Sequence, residues 1–202
     1  MSFLPVWFFV VGILAGSAAY ADGYMRPTVM YLSEGAEQGS KSTTTRSLLD
    51  FAAGYMHPSG VTLGLLYSTE HRKSITSTLN GNGTFTDTQV DGDRLSVGPS
   101  LGWAAPGDTG PYLMATYFNS TELTGSNNGT IYGVSSTTKS SGTGYQGDAG
   151  IRFGFRKVSL AFQLSYKHFA YTKQSTSTAT TDLSPVLKET YVDPYFAVWA
   201  YF

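Results

Sequence analysis

The sequence closes with Pro194-Tyr195-Phe196-Ala197-Val198-Trp199-Ala200-Tyr201-Phe202, a stretch that carries no charged side chain. Its residues are apolar or aromatic throughout, and most of them are of types that β-strands favour. On a soluble protein such a strand would form an aggregation-prone edge. In a lipid bilayer, closing the strands into a barrel removes that edge, because every backbone group then pairs with a neighbouring strand. The stretch therefore favours a closed barrel in a membrane.

Alternate positions of the stretch carry Phe196, Val198, Ala200 and Phe202. This pattern resembles the C-terminal strand of Gram-negative outer-membrane β-barrels, in which a final phenylalanine after alternate apolar residues is recognised by the barrel-assembly machinery. The resemblance implies that these four residues are an assembly signal. It also implies a location in the outer membrane of a Gram-negative bacterium, in contact with outer-membrane lipid and lipopolysaccharide.

Residues 1–21 have the pattern of a signal peptide. An apolar run over residues 3–14 gives way to small residues, and Ala19 and Ala21 fit the small-x-small cleavage rule, which predicts cleavage before Asp22. The segment contains no Lys or Arg, which is a departure from the usual charged start. An uncleaved anchor would need about 20 apolar residues. We therefore predict a signal peptide over 1–21 and a single barrel domain over 22–202.

The composition narrows the possible partners. The net charge is −1, which gives no reason to expect nucleic acid. The chain has no cysteine, so disulfides and thiolate chemistry are excluded. Only 13% of residues are charged while 14% are aromatic and 23 are glycine, which favours short twisted strands over helices. We expect no cofactor and a monomeric protein.

Apolar and small or polar residues alternate with a period of two, the signature of strands with two different faces. The clearest alternation covers residues 49–56, 61–68, 94–103, 145–155 and 158–167. Weaker strands are predicted at 24–33 and 112–118, and a last strand begins near Tyr191. Which side chains of the last strand and of 112–118 face outward is left open. The fold class is predicted as all-β, an eight-stranded antiparallel up-and-down transmembrane barrel.

The predicted connections alternate in length, as they do in outer-membrane barrels. Brief turns are expected at 57–60, 104–110 and 156–157, and long Ser/Thr-rich loops at 34–45, 71–91, 119–143 and 172–187. Asn80-Gly81-Asn82-Gly83 is a turn signal between two β-prone segments and predicts a hairpin beyond the bilayer. A weaker hairpin signal surrounds residues 127–132. Protruding strands resemble the OmpA/OmpX type of small barrel.

Eight strands leave an interior that side chains can fill. The inward positions of the alternation predict a self-neutralising polar network. It comprises Arg26, Asp50, Glu70, Arg94, Asp148, Arg152, Gln163, Lys167 and Asp193. Asp50, Asp148 and Arg152 are expected at mid-depth, Arg26 lower, and Glu70, Arg94, Lys167 and Asp193 nearer the extracellular rim. Balanced charges favour a sealed interior over an ion-selective pore, which would carry one sign.

Three functions are compatible with such a barrel. The first is a non-enzymatic structural or surface-exposed role. The second is a narrow channel for small or hydrophobic solutes, as in OmpW-type barrels, with Pro27 and Pro99 as possible strand kinks. The third is lipid-modifying hydrolysis, which needs a serine activated by a histidine. His71 and His168 have no serine two residues on, and His57 precedes Ser59 in a turn on the wrong side. We therefore expect no catalytic residue and no metal site.

Tyr55, Tyr67, Trp103, Tyr117, Tyr166 and Trp199 are interpreted as aromatic girdle residues at the two membrane interfaces.

Overall fold

A computed structural model describes residues 22–38, 40–79, 85–129, 136–155, 157–176 and 179–202. Every pair of strands that are neighbours in the chain is antiparallel, and the last strand pairs back to the first, which closes the barrel. The predicted fold class is confirmed for this part of the chain, and the predicted signal peptide lies outside it. The strands are β1 (Asp22–Gln38), β2 (Ser40–Met56), β3 (Val61–Leu79), β4 (Phe85–Ala104), β5 (Gly110–Gly129), β6 (Ser136–Phe155), β7 (Val158–Ser175) and β8 (Thr180–Tyr201).

The barrel is apolar outside and polar inside, which is the reverse of a soluble protein and suits a bilayer. The largest aliphatic and aromatic side chains of the alternating segments are exposed on the outer wall. They include Leu95, Val97, Leu101, Phe153, Leu160 and Phe162. The structure also shows which side chains face inward in the two strands that the sequence left undecided. Tyr112, Met114 and Phe118 are buried inside, while Phe196 and Val198 are exposed. No helix within the described ranges is long and apolar enough to cross a membrane.

The two ends of the barrel differ in their connections. At the turn end, residues 57–60 form a short connection as predicted, and residues 105–109 form one within the predicted range 104–110. β6 ends at Phe155 and β7 begins at Val158. At the hairpin end, the strands continue through most of the residues predicted as long loops, so that prediction was wrong. The predicted hairpin is confirmed by the ladder from Ser74↔Val90 to Leu79↔Phe85. Its Asn-Gly turn lies outside the described residues, as do residues 130–132 of the second hairpin signal.

Hydroxyl-bearing side chains explain why these segments form strands. Thr and Ser have adequate or high strand propensity, and cross-strand hydroxyl pairs stabilise a ladder. Thr44 Oγ1 and Ser74 Oγ lie 3.2 Å apart, and Ser42 Oγ and Thr76 Oγ1 lie 3.4 Å apart. A Ser/Thr-rich composition resembles that of a loop, but at this end of the barrel it supports extended pairing.

The seam between β1 and β8 is the shortest ladder. Gly23 and Phe202 exchange two backbone hydrogen bonds of 2.9 and 3.0 Å, and the ladder ends at Val29↔Phe196. The two β1 positions between Met25 and Thr28 make no pair with β8. One of them is Pro27, which has no N–H to donate. Above Val29, no β1–β8 pair joins the described residues. Pro99 lies elsewhere, within the register shift between β4 and β5.

Large rings fill the turn end of the interior, where glycines leave room for them. Trp199 is fully buried there, 5.2 Å from the ring centre of Tyr24 and 5.1 Å from that of Tyr112. The girdle assignment of Trp199 was therefore wrong, because its strand parity points it inward. Tyr67, Trp103, Tyr117 and Tyr166 are exposed on the outer wall, as expected for girdle residues, and Tyr55 is half-buried.

Gly150 allows the Tyr112 ring to pack against the wall, since a Cβ at this position would lie 2.6 Å from the ring. Gly150→Ala is expected to lower the free energy of unfolding by about 1–3 kcal/mol through overpacking. The measurement is urea unfolding of the barrel in lipid vesicles. Gly147→Ala on the same strand is the control, because a Cβ there meets nothing within 4 Å. Equal stability of the two variants would contradict this account.

Candidate functional site

The interior holds three layers of polar or aromatic side chains, and the middle one is a hydrogen-bonded central cluster. Lys167 Nζ donates to the two carboxylate oxygens of Asp50 at 3.0 and 2.9 Å, and both side chains are 0% exposed. Gln146 Nε2 joins the two acids, donating to Asp148 at 2.7 Å and to Asp50 at 3.2 Å. These pairings offset the cost of burying the charges.

Arg26 completes the central cluster from β1. One guanidinium nitrogen donates to Asp148 at 2.8 Å, and another donates to the amide oxygen of Gln163 at 3.1 Å. The Tyr112 hydroxyl donates to the same amide oxygen at 2.7 Å. Ser165 bridges Gln163 and Asp148 with two further bonds of 2.8 and 2.7 Å. The cluster therefore links strands on opposite sides of the barrel.

A second layer, the hairpin-end cluster, is built around Glu70. Three guanidiniums contact this carboxylate: Arg46 at 2.9 Å, Arg72 at 3.3 Å, and Arg94 in close contact. Arg46 also holds the carboxylate of Asp193 with two bonds of 3.2 Å. One acid is thus shared by three bases, and a single substitution at Glu70 would affect all of them.

Glu189 balances the remaining charge of the hairpin-end cluster. It lies 3.0 Å from Arg94 and 3.6 Å from Arg72. The Tyr171 hydroxyl donates to it at 3.4 Å. This tyrosine lies beyond the aromatic girdle, and burial raises its pKa to about 12. Its phenol therefore stays protonated and remains a donor at neutral pH. The cluster is neutral, with three guanidiniums facing three carboxylates.

The third layer closes the turn end. The guanidinium of Arg152 donates to the carbonyl oxygen of Gly107 at 3.1 Å and also contacts the Ala105 carbonyl and the Tyr201 hydroxyl. It lies over the Trp199 ring at 5.2 Å. Ser159 Oγ donates to the carbonyl oxygen of Asp108 at 2.8 Å. The connection between β4 and β5 is therefore tied across the base of the barrel.

All nine residues proposed for the interior network are buried in the barrel interior. The structure distributes them over the three layers. Three depths differ from expectation. Arg152 lies at the turn end instead of mid-depth, and Lys167 lies in the central cluster instead of near the rim. Arg26 also reaches the central cluster. For Lys167 and Arg26 the cause is side-chain length, because Lys and Arg place their charges several ångströms from their own Cα atoms. Arg152 lies at the turn end because its ladder partner is Gly110, the first residue of β5.

Three charged members of the interior were missed: Arg46, Arg72 and Glu189. All lie in or next to segments assigned to loops. The period-two alternation continues from Asp50 through Leu48 to Arg46, and from Glu70 to Arg72, so the signal was present. With these residues the interior contains six basic and five acidic side chains among the described residues.

The three histidines and the residues of the proposed assembly signal lie outside the barrel interior. His71 Nδ1 lies 2.7 Å from Asp93 Oδ1, and His168 Nδ1 lies 2.9 Å from the Thr190 hydroxyl. His57 is paired with Ser59 within a short turn, at 2.9 Å. Phe196, Val198 and Phe202 of the proposed assembly signal face outward, with Ala200 half-buried between them. The described residues contain no group of three or more side chains arranged to hold a metal ion.

No protein-family model matches the sequence, and no curated protein matches it either. Among solved structures, the chain is similar to Neisserial surface protein A, with 13% identity, a TM-score of 0.40, and coverage of 91% of this chain and 96% of that chain. It is also similar to the translocator domain of the autotransporter NalP from Neisseria meningitidis, with 11% identity, a TM-score of 0.42, and coverage of 98% and 94%. A third is the β domain of the Bordetella autotransporter BrkA, with 9% identity, a TM-score of 0.31, and coverage of 91% and 99%.

Proposed function

We propose that this chain is an outer-membrane barrel of a Gram-negative bacterium whose interior is sealed and whose role is structural and surface-exposed. The observation that carries the proposal is the stack of three bonded layers inside the barrel. Each layer joins side chains from strands that do not neighbour one another, such as Arg26 on β1 with Asp148 on β6. Such contacts brace the wall and leave no continuous row of one charge for an ion to follow.

The hairpins support the surface-exposed part of the proposal. Strands β3 and β4 stay paired to Leu79↔Phe85, well beyond the girdle residue Tyr67. Of the twelve side chains in the ladder from Ser74↔Val90 to Leu79↔Phe85, six are Ser or Thr and one, Asp87, is charged. A low-charge surface of this kind favours steric shielding of the membrane over electrostatic capture of a receptor. The C-terminal strand is proposed to direct assembly through its outward residues, and the barrel is proposed to act as a monomer.

Planar-bilayer recording tests the sealed interior. We expect the folded protein to give no reproducible conductance steps at neutral pH, because the Arg152 layer and the central cluster each block the path. Reproducible openings in the wild type would overturn the proposal. Arg152→Ala is the sensitised variant, and any leak should appear there first. A heat-modifiable shift on a detergent gel, in which the folded barrel migrates differently until boiled, verifies that each variant is closed.

The short ladder between β1 and β8 favours a second candidate function, in which an apolar compound passes sideways through the barrel wall. Among the residues that the structure describes, no β1–β8 pair lies above Val29 and Phe196. Behind that part of the seam, Met30, Leu48 and Tyr195 form an apolar cluster inside the wall. An apolar molecule could move between this cluster and the lipid without crossing the polar layers.

A cysteine pair at Val29 and Phe196 tests this route, since the chain has no other cysteine. If the seam opens during passage, oxidation of the pair should slow uptake of an apolar fluorescent dye into cells, and reduction should restore it. A matched pair at Leu63 and Leu101, which are partners in the β3–β4 ladder, is the control. Dye uptake that is the same with and without the barrel would exclude the route.

A further inference from the structure

Three polar residues form a row across neighbouring strands on the outer wall. Ser47 on β2 is the ladder partner of His71 on β3, and His71 is the partner of Asp93 on β4. All three point outward: Ser47 lies between the buried residues Arg46 and Leu48, and the other two are well exposed. Directly opposite residues have Cβ atoms about 4.5–5.5 Å apart, so neighbours in the row can touch.

The His71–Asp93 contact defines the chemistry of the row. The 2.7 Å bond from Nδ1 to the carboxylate fixes the neutral imidazole with its proton on Nδ1. Nε2 is then the basic nitrogen. A base oriented by an acid, next to a hydroxyl, is the arrangement that activates a serine nucleophile. The sequence has no Ser and His two residues apart at this position, so only the strand register brings the groups together.

The surroundings suit a lipid substrate. A surface cavity of about 510 Å³ is lined by Ser47, His71 and Asp93, with Leu49 and Leu95 beside them. These leucines are exposed on the outer wall and occupy the same faces as the row, two residues closer to the membrane centre. The girdle residue Tyr67 lies four residues below His71 on β3. The row is therefore placed where the acyl chains of a bilayer meet the polar head region.

We propose that Ser47, His71 and Asp93 hydrolyse an acyl ester of an outer-leaflet lipid. Ser47 Oγ attacks the ester carbonyl while His71 Nε2 accepts the hydroxyl proton, and Asp93 stabilises the imidazolium. The same proton passes to the departing lipid alcohol, leaving an acyl-serine. Water, deprotonated by His71, then releases the fatty acid and regenerates Ser47. Lys73, two residues beyond His71 on β3, shares the outward face of the row and adds positive charge to that end of it. This activity is independent of the sealed interior.

The test measures fatty-acid release by mass spectrometry from the full barrel in vesicles. One arm contains glycerophospholipid alone, and a second adds lipid A, because both carry acyl esters. We expect release in at least one arm, and the arm identifies the substrate. Ser47→Ala and His71→Ala should each lower the rate by about 10²–10⁴-fold. Thr45→Ala, a hydroxyl removed from the next position on the same face, should leave the rate unchanged.

A fluorophosphonate probe provides a second readout that does not require the natural lipid. It should label the folded barrel at one site, and Ser47→Ala should abolish labelling while heat-modifiability shows that the barrel is still closed. Absence of fatty-acid release in both arms, or release that persists in Ser47→Ala, would overturn the proposal. Labelling at another serine would overturn it as well.

Discussion

Replacing Lys167 with methionine is expected to lower the free energy of unfolding by about 3–5 kcal/mol. Lys167 and Asp50 are both fully buried, and the ammonium donates to both carboxylate oxygens of Asp50 and to Ser68 Oγ at 3.2 Å. Methionine fills a similar volume but leaves the carboxylate buried without its counter-charge. Ser68 and Gln146 still donate to Asp50, yet neither of them neutralises it.

Urea unfolding in lipid vesicles measures this loss, and a double variant separates charge from packing. Asp50→Leu combined with Lys167→Met removes both charges, and an apolar replacement of a buried pair is often neutral or stabilising. The double variant should therefore recover most of the stability lost by Lys167→Met. Lys139→Met is the matched control: Lys139 and its partner Glu122 are about half-exposed, so its loss should change stability by less than about 1 kcal/mol.

Similar losses in Lys167→Met and Lys139→Met would contradict the assignment of the central cluster as a buried, bracing network. So would a double variant as unstable as the single one, because the cost would then come from side-chain packing.

The architecture could be predicted from the sequence because the outer wall requires apolar side chains while the interior requires small or polar ones, and alternate residues of a strand face these two sides. Each clear segment, such as the one containing Leu95 and Val97, therefore alternates apolar with small or polar residues at a period of two. The turn-end connections were predicted for the same reason, since the alternation stops there. For strand 112–118 and for the last strand, the sequence does not decide which side chains face outward, because apolar residues occur on both faces of each strand. In the structure, Tyr112 and Trp199 face inward and pack in an aromatic layer that no period reveals.

The hairpin end was predicted poorly because composition is ambiguous there. Ser and Thr are common in loops and equally suited to strands that pair in water. Assigning these segments to loops hid Arg46, Arg72 and Glu189. The row of Ser47, His71 and Asp93 could not be found from spacing, since neighbouring members are 24 and 22 residues apart and only the register aligns them. Register depends on how neighbouring strands are joined, which sequence alternation does not specify.

Substituting Glu70 by glutamine is expected to lower the free energy of unfolding by at least about 3 kcal/mol. Glutamine keeps the shape but removes the charge shared by Arg46, Arg72 and Arg94. The cluster then holds three guanidiniums against two carboxylates, Glu189 and Asp193. The surplus positive charge is buried close to the Phe169 ring, which Arg94 covers at 3.8 Å. A ring face attracts a cation but compensates for only part of its lost solvation.

A compensating variant tests whether charge balance causes the loss. Arg94→Gln added to Glu70→Gln restores two cations against two anions, and we expect urea unfolding to show partial recovery over Glu70→Gln alone. Glu122→Gln makes the same chemical change in an exposed pair and should cost less than about 1 kcal/mol. If Glu70→Gln is as mild as Glu122→Gln, water reaches the hairpin-end cluster freely. The cluster would then line an open vestibule instead of sealing the barrel, and the sealed interior would rest on the central and turn-end layers alone.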